Sequence, residues 1–190
     1  IGQTYYDLHS NSSTGNRLVR NADGTMSATW IEHWDILASD NNPKPNVRGF
    51  GYNHYSNGSW NYGDEGECWE DQYGCASRYV GWPELINHET ANGDGKKELI
   101  INHTPLKMTS RDEVGTTAWG STVDLGVDLG EDANGGTWPR AVSSGDYVHM
   151  ISVLPGADND YTDANGVLIP LRYYRSTDGG STWDIQDGDV

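Results

Sequence analysis

Short runs in which apolar and polar residues alternate make up most of this chain, and Gly, Asn, Asp and Pro separate them. Alternation with a period of two is typical of β-strands, whose successive side chains point to opposite faces. Residues 24–34, GTMSATWIEHW, follow it, with Glu32 as the one charged exception on a face of Met, Ala and Trp. No long segment carries a convincing 3.6-residue apolar period. The pattern therefore predicts an all-β protein.

Three further segments are predicted to be strands. Residues 97–104 and 146–154 carry little charge, so both faces of each strand are expected to be buried. Residues 167–176 form the third, in which Pro170 lacks a backbone donor and favours an edge position or a bulge. Between alternating segments, the Asn-Gly pair at 57–58 predicts a tight hairpin.

The predicted strands recur in a fixed order. A Trp-Pro pair stands in residues 81–85 and again in 137–141, and each is followed by strands and by an Asp- and Gly-rich turn that closes on Trp. These turns are residues 109–119 and 175–183, with a weaker copy at 20–30. Repetition at roughly 40–60 residues with several strands in each unit is typical of β-propeller blades. We expect one domain, 1–190, of about three blades in the approximate units 1–50, 51–120 and 121–190.

The turn RSTDGGSTWD is the most patterned stretch of the chain. The carboxylate of Asp178 can accept backbone N–H groups of a tight turn, and Gly180 takes a positive φ without steric cost. Trp183 starts the returning strand and can bury roughly 200 Å² against a neighbouring sheet. Together with Ser176, these residues match the Asp-box, also called the BNR repeat, of sialidase-like β-propellers.

A second copy of the motif consists of Ser110, Asp112, Gly115 and Trp119, with one or two extra residues before the tryptophan. In the family that it resembles, the box is a structural element at the hairpin between the third and fourth strands of a blade, away from the ligand face. The resemblance therefore implies a structural role for both copies.

The resemblance extends over most of the chain. The N-terminal IGQTYYDL, the segment RGFGYNHY and the GWP triplet are similar to secreted Asp-box propeller proteins of surface-associated Gram-negative bacteria. Because closed propellers have about 4–8 blades, we expect this chain to form a partial propeller. Further blades of the same precursor, or self-assembly of identical chains, would complete it.

The charge of the chain excludes some partners. Asp and Glu number 28 against 12 Lys and Arg, which gives a net charge of −16. That field repels phosphate, so we expect neither nucleic acid nor an anionic membrane surface as a partner. No apolar run approaches the roughly 20 residues that a membrane span needs, so no membrane insertion is expected either.

Cys68 and Cys75 lie in an acidic, Gly-rich segment. A zinc site needs about four ligands, and only His54 and His88 lie near the cysteines in sequence. A short disulfide is therefore favoured, which indicates an oxidising compartment. We expect the protein to be secreted or exposed at the cell surface.

The resemblance to sialidases raises the question of catalysis. Those enzymes hold a carboxylate with three arginines and use a Tyr activated by a Glu, together with an Asp acid/base. The segment NRLV at 16–19 lacks the aromatic residue and the proline of the family's N-terminal arginine motif. No Gly-x-Ser-x-Gly, P-loop or His-Glu-x-x-His motif is present. We assign no catalytic residue, and the alternative is part of a sialidase-like glycoside hydrolase whose catalytic residues lie largely outside this chain.

Residues 156–166, GADNDYTDANG, concentrate oxygen donors. Such ligands on a loop suit Ca²⁺, although the spacing is not that of an EF-hand and an exposed polar hairpin explains the composition equally well. No cofactor is required by the sequence, and Ca²⁺ is the one metal ion that it suggests. The candidate ligands are Asp158, Asp160, Asp163 and Asn165.

A binding function fits the composition better than catalysis. Aromatic rings pack on the apolar faces of pyranoses, and Asn and Asp side chains supply hydrogen bonds to hydroxyls. The same rings would also fill the space between blades. We expect an extracellular module that binds a glycan or a surface protein, or serves as a scaffold. The candidate ligand-binding residues are Tyr52, Tyr55, Trp60, Tyr62, Trp69 and Tyr73.

Overall fold

The structure is a computed structural model of the chain. The chain forms two compact units, Ile1–Leu85 and Ile86–Val190. Within the described residues, no helix has the length and apolar character that crossing a bilayer requires. Those residues are 15–33, 48–62, 67–68, 81–90, 96–103, 106–115, 119–120, 122–125, 137–153, 162 and 165–186.

Thirteen strands in the described part of the chain form three antiparallel sheets, which confirms the all-β prediction. The first sheet has the order β1-β2-β3-β4, with β5 also paired to β3, and contains Leu18–Arg20, Met26–His33, Arg48–Ser56, Ser59–Trp60 and Glu67–Cys68 as β1 to β5. The second, in sequence order, contains Gly81–Glu89, Lys96–His103, Lys107–Arg111 and Val123–Asp124 as β6 to β9. The third, also in sequence order, contains Thr137–Ser144, Tyr147–Val153, Leu171–Ser176 and Asp184–Gln186 as β10 to β13.

The sheets have different bounds from the units expected from the repeats. The expected boundary after residue 50 falls inside β3, and the one after residue 120 falls before β9. The reason is that β3 pairs on both sides, with β2 and with β4, while β9 returns to β8 beyond the second Asp-rich turn. The described strands of the three sheets span 18–68, 81–124 and 137–186.

A two-residue turn joins β3 to β4, as the Asn-Gly pair predicts. Tyr55 pairs with Trp60 and Ser56 with Ser59, so the loop consists of Asn57 and Gly58 alone. Their φ values of 53° and 86° are both positive, which is the type I′ turn that matches the twist of paired strands. The predicted hairpin is confirmed.

Strand β2 is buried on both faces. All side chains from Ser27 to Glu32 are buried, so the alternation of this segment does not mark one solvent-facing side. Glu32 accepts a hydrogen bond from the indole nitrogen of Trp30, which gives the charged exception a polar partner inside the sheet. Trp30 pairs with Gly51 across the ladder, and a Cβ at Gly51 would lie 2.2 Å from the indole ring. Only glycine leaves room for this tryptophan.

The two segments predicted to be buried on both faces behave differently. In β7, Leu99, Ile100 and Ile101 are all fully buried, which confirms the prediction. In β11, burial alternates instead: Tyr147 and Ile151 are 43% and 38% exposed. The prediction for 146–154 was wrong because a low charge density shows only that a strand is apolar and does not show whether a second layer covers it.

Pro170 lies outside the ladder. Strand β12 begins at Leu171, directly after the proline, so the missing N–H costs the sheet no hydrogen bond. The strand is therefore shorter than the predicted 167–176.

The second and third sheets pack face to face within the second unit. Each contributes the apolar side chains of one face, and the partly buried Val123 and Trp183 pack against them. Sheet-on-sheet packing of this kind lets each strand bury alternate residues. The shared core consists of Ile86, Leu99, Ile101, Leu106, Met108 and Leu125 from the second sheet and Ala141, Met150 and Tyr174 from the third.

Both Trp-Pro pairs lie inside strands. Trp82 is in β6 and Trp138 in β10, with φ values of 48° and 54°. In β10 the pairing with β11 skips from Thr137 to Arg140, so the pair forms a β-bulge. A positive φ is strained for a bulky residue, and its occurrence in both tryptophans shows that the two strands share one irregularity.

Candidate functional site

The turn between β12 and β13 is held by side chains of the motif itself. The Ser176 hydroxyl accepts the N–H of Gly180 at 2.7 Å and donates to Asp178 Oδ1 at 2.8 Å. The Asp178 carboxylate also accepts the N–H and the hydroxyl of Thr182, at 2.8 and 2.7 Å. The indole N–H of Trp183 donates to the carbonyl of Gly180 at 3.0 Å. These bonds all close the turn on itself.

The same turn packs against the second sheet. Gly179 and Gly180 are buried at φ values of 68° and 90°. A Cβ at Gly180 would lie 2.5 Å from Leu99 and 3.1 Å from the sulfur of Met108. Trp183 contacts the core beside them. The structural role expected of the motif stays a prediction, and substitutions that test it are given below.

The second copy of the motif has a register different from the one that the sequence suggests. Strand β8 ends at Arg111 as β12 ends at Ser176, and each is followed four residues later by a glycine of positive φ. Arg111 rather than Ser110 therefore takes the place of Ser176, and Glu113 rather than Asp112 follows it at the Asp178 position. The alignment from sequence was shifted by one residue. In both turns four positions separate the end of the strand from the glycine, but Ser110 lies five positions before its glycine and Ser176 four.

A buried ion pair replaces the hydroxyl in this second turn. Glu98 Oε2 accepts from Arg111 Nε at 2.8 Å, and both side chains are fully buried. The same oxygen lies 3.5 Å from the N–H of Gly115, the group that a serine hydroxyl binds in the first turn. The guanidinium lies 4.1 Å above the ring of Trp119. Asp112, by contrast, has a side chain 90% exposed and lies 3.7 Å from Lys97.

A histidine–serine pair lies close to the two turns. His88 Nδ1 is 2.8 Å from the hydroxyl of Ser143, on a strand of the next sheet. Burial lowers the pKa of His88, the Lys97 ammonium lowers it further, and Asp146 opposes the change. A neutral imidazole on a hydroxyl can activate a nucleophile; here the His88 side chain is buried, while Ser143 is partly exposed. Sequence reasoning missed the pair because 55 positions separate its members.

The aromatic candidates divide between core and surface. Tyr52 is fully buried, with its hydroxyl 3.0 Å from Ser27 Oγ, so its expected role in ligand binding is corrected to a core residue. Tyr55 and Trp60 are partly exposed and meet edge to face, with ring centroids 5.5 Å apart. Tyr62 is also partly exposed. Trp69 and Tyr73 lie outside the described residues.

Amide and hydroxyl groups line the same hairpin. Ser56 donates to Asn61 Oδ1 at 3.1 Å, and the Asn61 N–H donates to the carbonyl of His54 at 2.8 Å. Asn53 Oδ1 accepts the N–H groups of His54 and Tyr62 at 2.9 and 3.2 Å. These bonds fix the backbone beyond β4. We call residues 53–62 the aromatic hairpin.

The disulfide and calcium predictions fall largely on residues that the structure does not describe. Cys75 lies outside the described residues, and of Cys68 only the backbone position in β5 is described. Among the calcium candidates only Asn165 is described, in an exposed turn, while Asp158, Asp160 and Asp163 are not. Within the described ranges, no three His, Cys, Asp or Glu side chains are grouped to hold a metal ion. Both sites stay predictions.

Sequence reasoning also missed the solvent-facing side of the third sheet. The signal was present in the alternation of β11 and β12, where Tyr, His, Ile and Leu recur at every second position. His149 Nδ1 lies 2.6 Å from the Tyr173 hydroxyl, and Arg175 lies 5.9 Å from the ring of Tyr147 and 3.3 Å from Asp184. We call this side the outer face; it comprises Arg140, Val142, Tyr147, His149, Ile151, Leu171, Tyr173, Arg175 and Asp184.

Comparison with known proteins gives similarity of fold alone. The chain matches no family model and no curated protein sequence. It is similar to the crystal structure of a protein of unknown function from Dyadobacter fermentans DSM 18053, with a TM-score of 0.52 and 10% identity over 92% of this chain and 42% of that one. It is also similar to the polysaccharide lyase Uly1, with a TM-score of 0.40 and 11% identity over 90% of this chain and 36% of that one. The chain thus spans less than half the length of either structure.

Replacement of Asp178 by Ala is expected to destabilise the protein by about 1–2 kcal/mol, because two donors of Thr182 lose their acceptor. Asp112→Ala is the matched control, since its exposed carboxylate contributes less than about 0.5 kcal/mol. The free energy of unfolding, measured by urea denaturation, checks both. Equal losses in the two variants would contradict the register that the structure assigns to the second turn.

The contribution of Asp178 is expected to depend on pH. Partial burial raises the pKa of its carboxyl, but hydrogen bonds from Thr182 and from two serines outweigh this and hold the pKa below its ordinary value. The stabilisation is therefore complete above the unfolded-state pKa of about 3.9 and is lost as the pH falls through the lower folded-state pKa. The stability difference between wild type and Asp178→Asn, followed by urea denaturation, should shrink below about pH 4. A difference that stays constant down to about pH 2.5 would refute this.

A Cβ at position 180 should be more harmful than one at position 24. Both glycines have nearly the same φ, 90° and 87°, so an alanine is strained alike at each. Gly24 has open space around it, whereas Gly180 meets Leu99. We expect Gly180→Ala to lose about 1–3 kcal/mol more than Gly24→Ala in the free energy of unfolding. Similar losses would mean that the turn does not press on the second sheet.

Proposed function

We propose that this chain is an extracellular, non-catalytic module of the β-propeller class that binds carbohydrate through the aromatic hairpin. The observation that supports this most directly is the pair formed by Tyr55 and Trp60, which is partly exposed to solvent beside a two-residue turn. Aromatic rings that a hairpin holds in place present flat apolar faces at low entropic cost. Such faces fit the C–H side of a pyranose ring.

The neighbouring polar groups suit a sugar. Asn57, Ser59 and Asn61 are exposed beside the two rings, and their amides and hydroxyls can both donate to and accept from sugar hydroxyls. From 51 to 62 the chain contains no Asp, Glu, Lys or Arg, although its net charge is −16. An uncharged site within a strongly acidic protein favours a neutral glycan over a sialylated or sulfated one, because the field of the protein repels anions.

The propeller class is supported by the arrangement of the sheets. Two consecutive sheets are four-stranded and ordered as the strands occur in the chain, which is how the strands of a propeller blade are connected. Both start with a Trp-Pro pair whose tryptophan has a positive φ, and both contain a tight turn that ends in a glycine of positive φ after the third strand. These shared features make them two copies of one structural unit.

Two of the described arginines already pair with carboxylates, which supports a non-catalytic module. A sialidase-like site needs arginines that are free to hold a carboxylate. Arg111 is fully buried against Glu98, and Arg175 pairs with Asp184. The alternative is part of a sialidase-like glycoside hydrolase whose catalytic residues lie largely outside this chain. Secretion and a surface location belong to the same proposal and follow from the expected disulfide.

The wild-type protein is expected to bind members of an array of neutral oligosaccharides, and Trp60→Ala is expected to weaken the best of these interactions at least tenfold, or about 1.4 kcal/mol. The loss follows from removal of one of the two paired rings, and isothermal titration calorimetry with the same oligosaccharide measures it. Tyr147→Ala removes an exposed aromatic ring from the third sheet and should leave the affinity unchanged. Absence of binding to every neutral glycan, or equal affinity for wild type and Trp60→Ala, would refute the proposal.

A further inference from the structure

The outer face of the third sheet is an exposed apolar surface. Val142 is 57% exposed and Leu171 47%, and Tyr147 and Ile151 lie between them on the same side of the sheet. Most of the exposed large apolar side chains in the described part of the chain therefore share one face. Contiguous patches of this kind mark interaction surfaces, whereas single exposed apolar residues do not.

The internal repeat shows what kind of surface this is. When Arg111 is matched with Ser176 and Gly115 with Gly180, the pair Glu98–Arg111 corresponds to Val148–Ser176 at the same end of the ladder. The five residue pairs of the β7–β8 ladder then match five of the six pairs of the β11–β12 ladder, and Leu106 lies one position beyond the shorter one. The outer-face residues His149, Ile151, Leu171 and Tyr173 correspond to Leu99, Ile101, Leu106 and Met108 of the second sheet.

In the second sheet, that face is already covered by a sheet. Leu99, Ile101 and Met108 are buried against Met150 and Tyr174, which belong to the inner face of the third sheet. The outer face of the third sheet thus occupies the position that is used for sheet packing one repeat earlier. Its aliphatic side chains also argue against a sugar, because Val, Ile and Leu have no flat face on which a pyranose could stack.

The charges of the outer face favour a second copy of the chain as its occupant. A net charge of −16 repels another copy over most of the surface. The outer face is different, since it carries Arg140 and Arg175 with one carboxylate, Asp184. Arg175 and Asp184 lie side by side on β12 and β13 and pair with each other, so together they add no net charge and a second copy is repelled less at this face than elsewhere.

We propose that two copies of this chain associate through the outer faces of their third sheets, in a symmetric sheet-on-sheet contact. The apolar centre of Val142, Ile151 and Leu171 becomes buried, and the arginine–aspartate pairs form part of the polar rim. This contact lies on a different sheet from the aromatic hairpin and does not depend on the proposed carbohydrate binding.

Sedimentation equilibrium of the wild-type chain from about 1 to 200 µM tests the proposal, because a dimer must grow with concentration. We expect a species of about twice the 20.9 kDa chain mass at the highest concentrations. Ile151→Arg and, separately, Leu171→Arg place a charge in the apolar centre and should raise the dissociation constant at least tenfold. Both positions are exposed, so far-UV circular dichroism should show the fold retained, and either variant alone suffices if the other does not fold.

Leu18→Arg is the matched control. Leu18 is the same residue type as Leu171 and is 59% exposed, but it lies on β1 of the first sheet. Its replacement should therefore leave the dimer intact. Trp60→Ala should also leave it intact, which separates this proposal from carbohydrate binding. A wild-type chain that stays monomeric at the highest concentration overturns the proposal. So does a dimer whose dissociation constant is unchanged in Ile151→Arg and Leu171→Arg, or one that Leu18→Arg weakens equally.

Discussion

The close approach of the Gly180 backbone to Leu99 and Met108 is the contact on which the second unit depends. No side chain fits at position 180, since a Cβ would lie 2.5 Å from Leu99, and the φ of 90° is also one that glycine alone adopts without strain. Ser176 and Asp178 hold the backbone in that position with hydrogen bonds inside the turn. The inner face of the third sheet is thereby placed against the second sheet, and the shared core forms between them.

The protein satisfies the same turn in two chemically different ways. In the third sheet, a serine hydroxyl binds the glycine N–H, at little desolvation cost. In the second, the fully buried pair of Glu98 and Arg111 does so, and both charges must be removed from water. A buried pair of this kind adds little net stability, but loss of one partner leaves an uncompensated charge. The second turn is therefore the more vulnerable to substitution, although it lacks the motif by which the first was found.

Ser176 and Asp178 in one turn, and Glu98 and Arg111 in the other, use their polar atoms to hold the turns themselves. The described surfaces that remain available for binding are of a different kind. The aromatic hairpin of the first sheet is uncharged and carries rings and amides, while the outer face of the third sheet is aliphatic and aromatic with a few charges. In both cases, regular strand pairing fixes the exposed side chains in position, and affinity gains from such preorganisation.

The features that could be predicted from the sequence are those that depend on neighbouring residues. Alternation with a period of two, the Asn-Gly pair and the Asp- and Gly-rich turn act through neighbouring residues, so the strands, the hairpin and the position of the first turn were all visible in the chain. The candidate site was only partly predictable from the sequence. Tyr55 and Trp60 pair directly across a two-residue turn, whereas Tyr52 was placed with them although it lies in the core. Alternation assigns a residue to a face of its strand but does not show what covers that face.

Tertiary structure decided the rest, because burial and register depend on residues distant in sequence. Strand β7 is covered on both faces and β11 on one, although β7 is the strand that contains charged residues. The second turn aligns through Arg111 rather than Ser110, since Glu98, on the neighbouring strand, supplies the acceptor that a motif search assigns to serine. The sequence alone determined which strands and turns form. Packing between sheets determined which of their faces remain exposed to solvent.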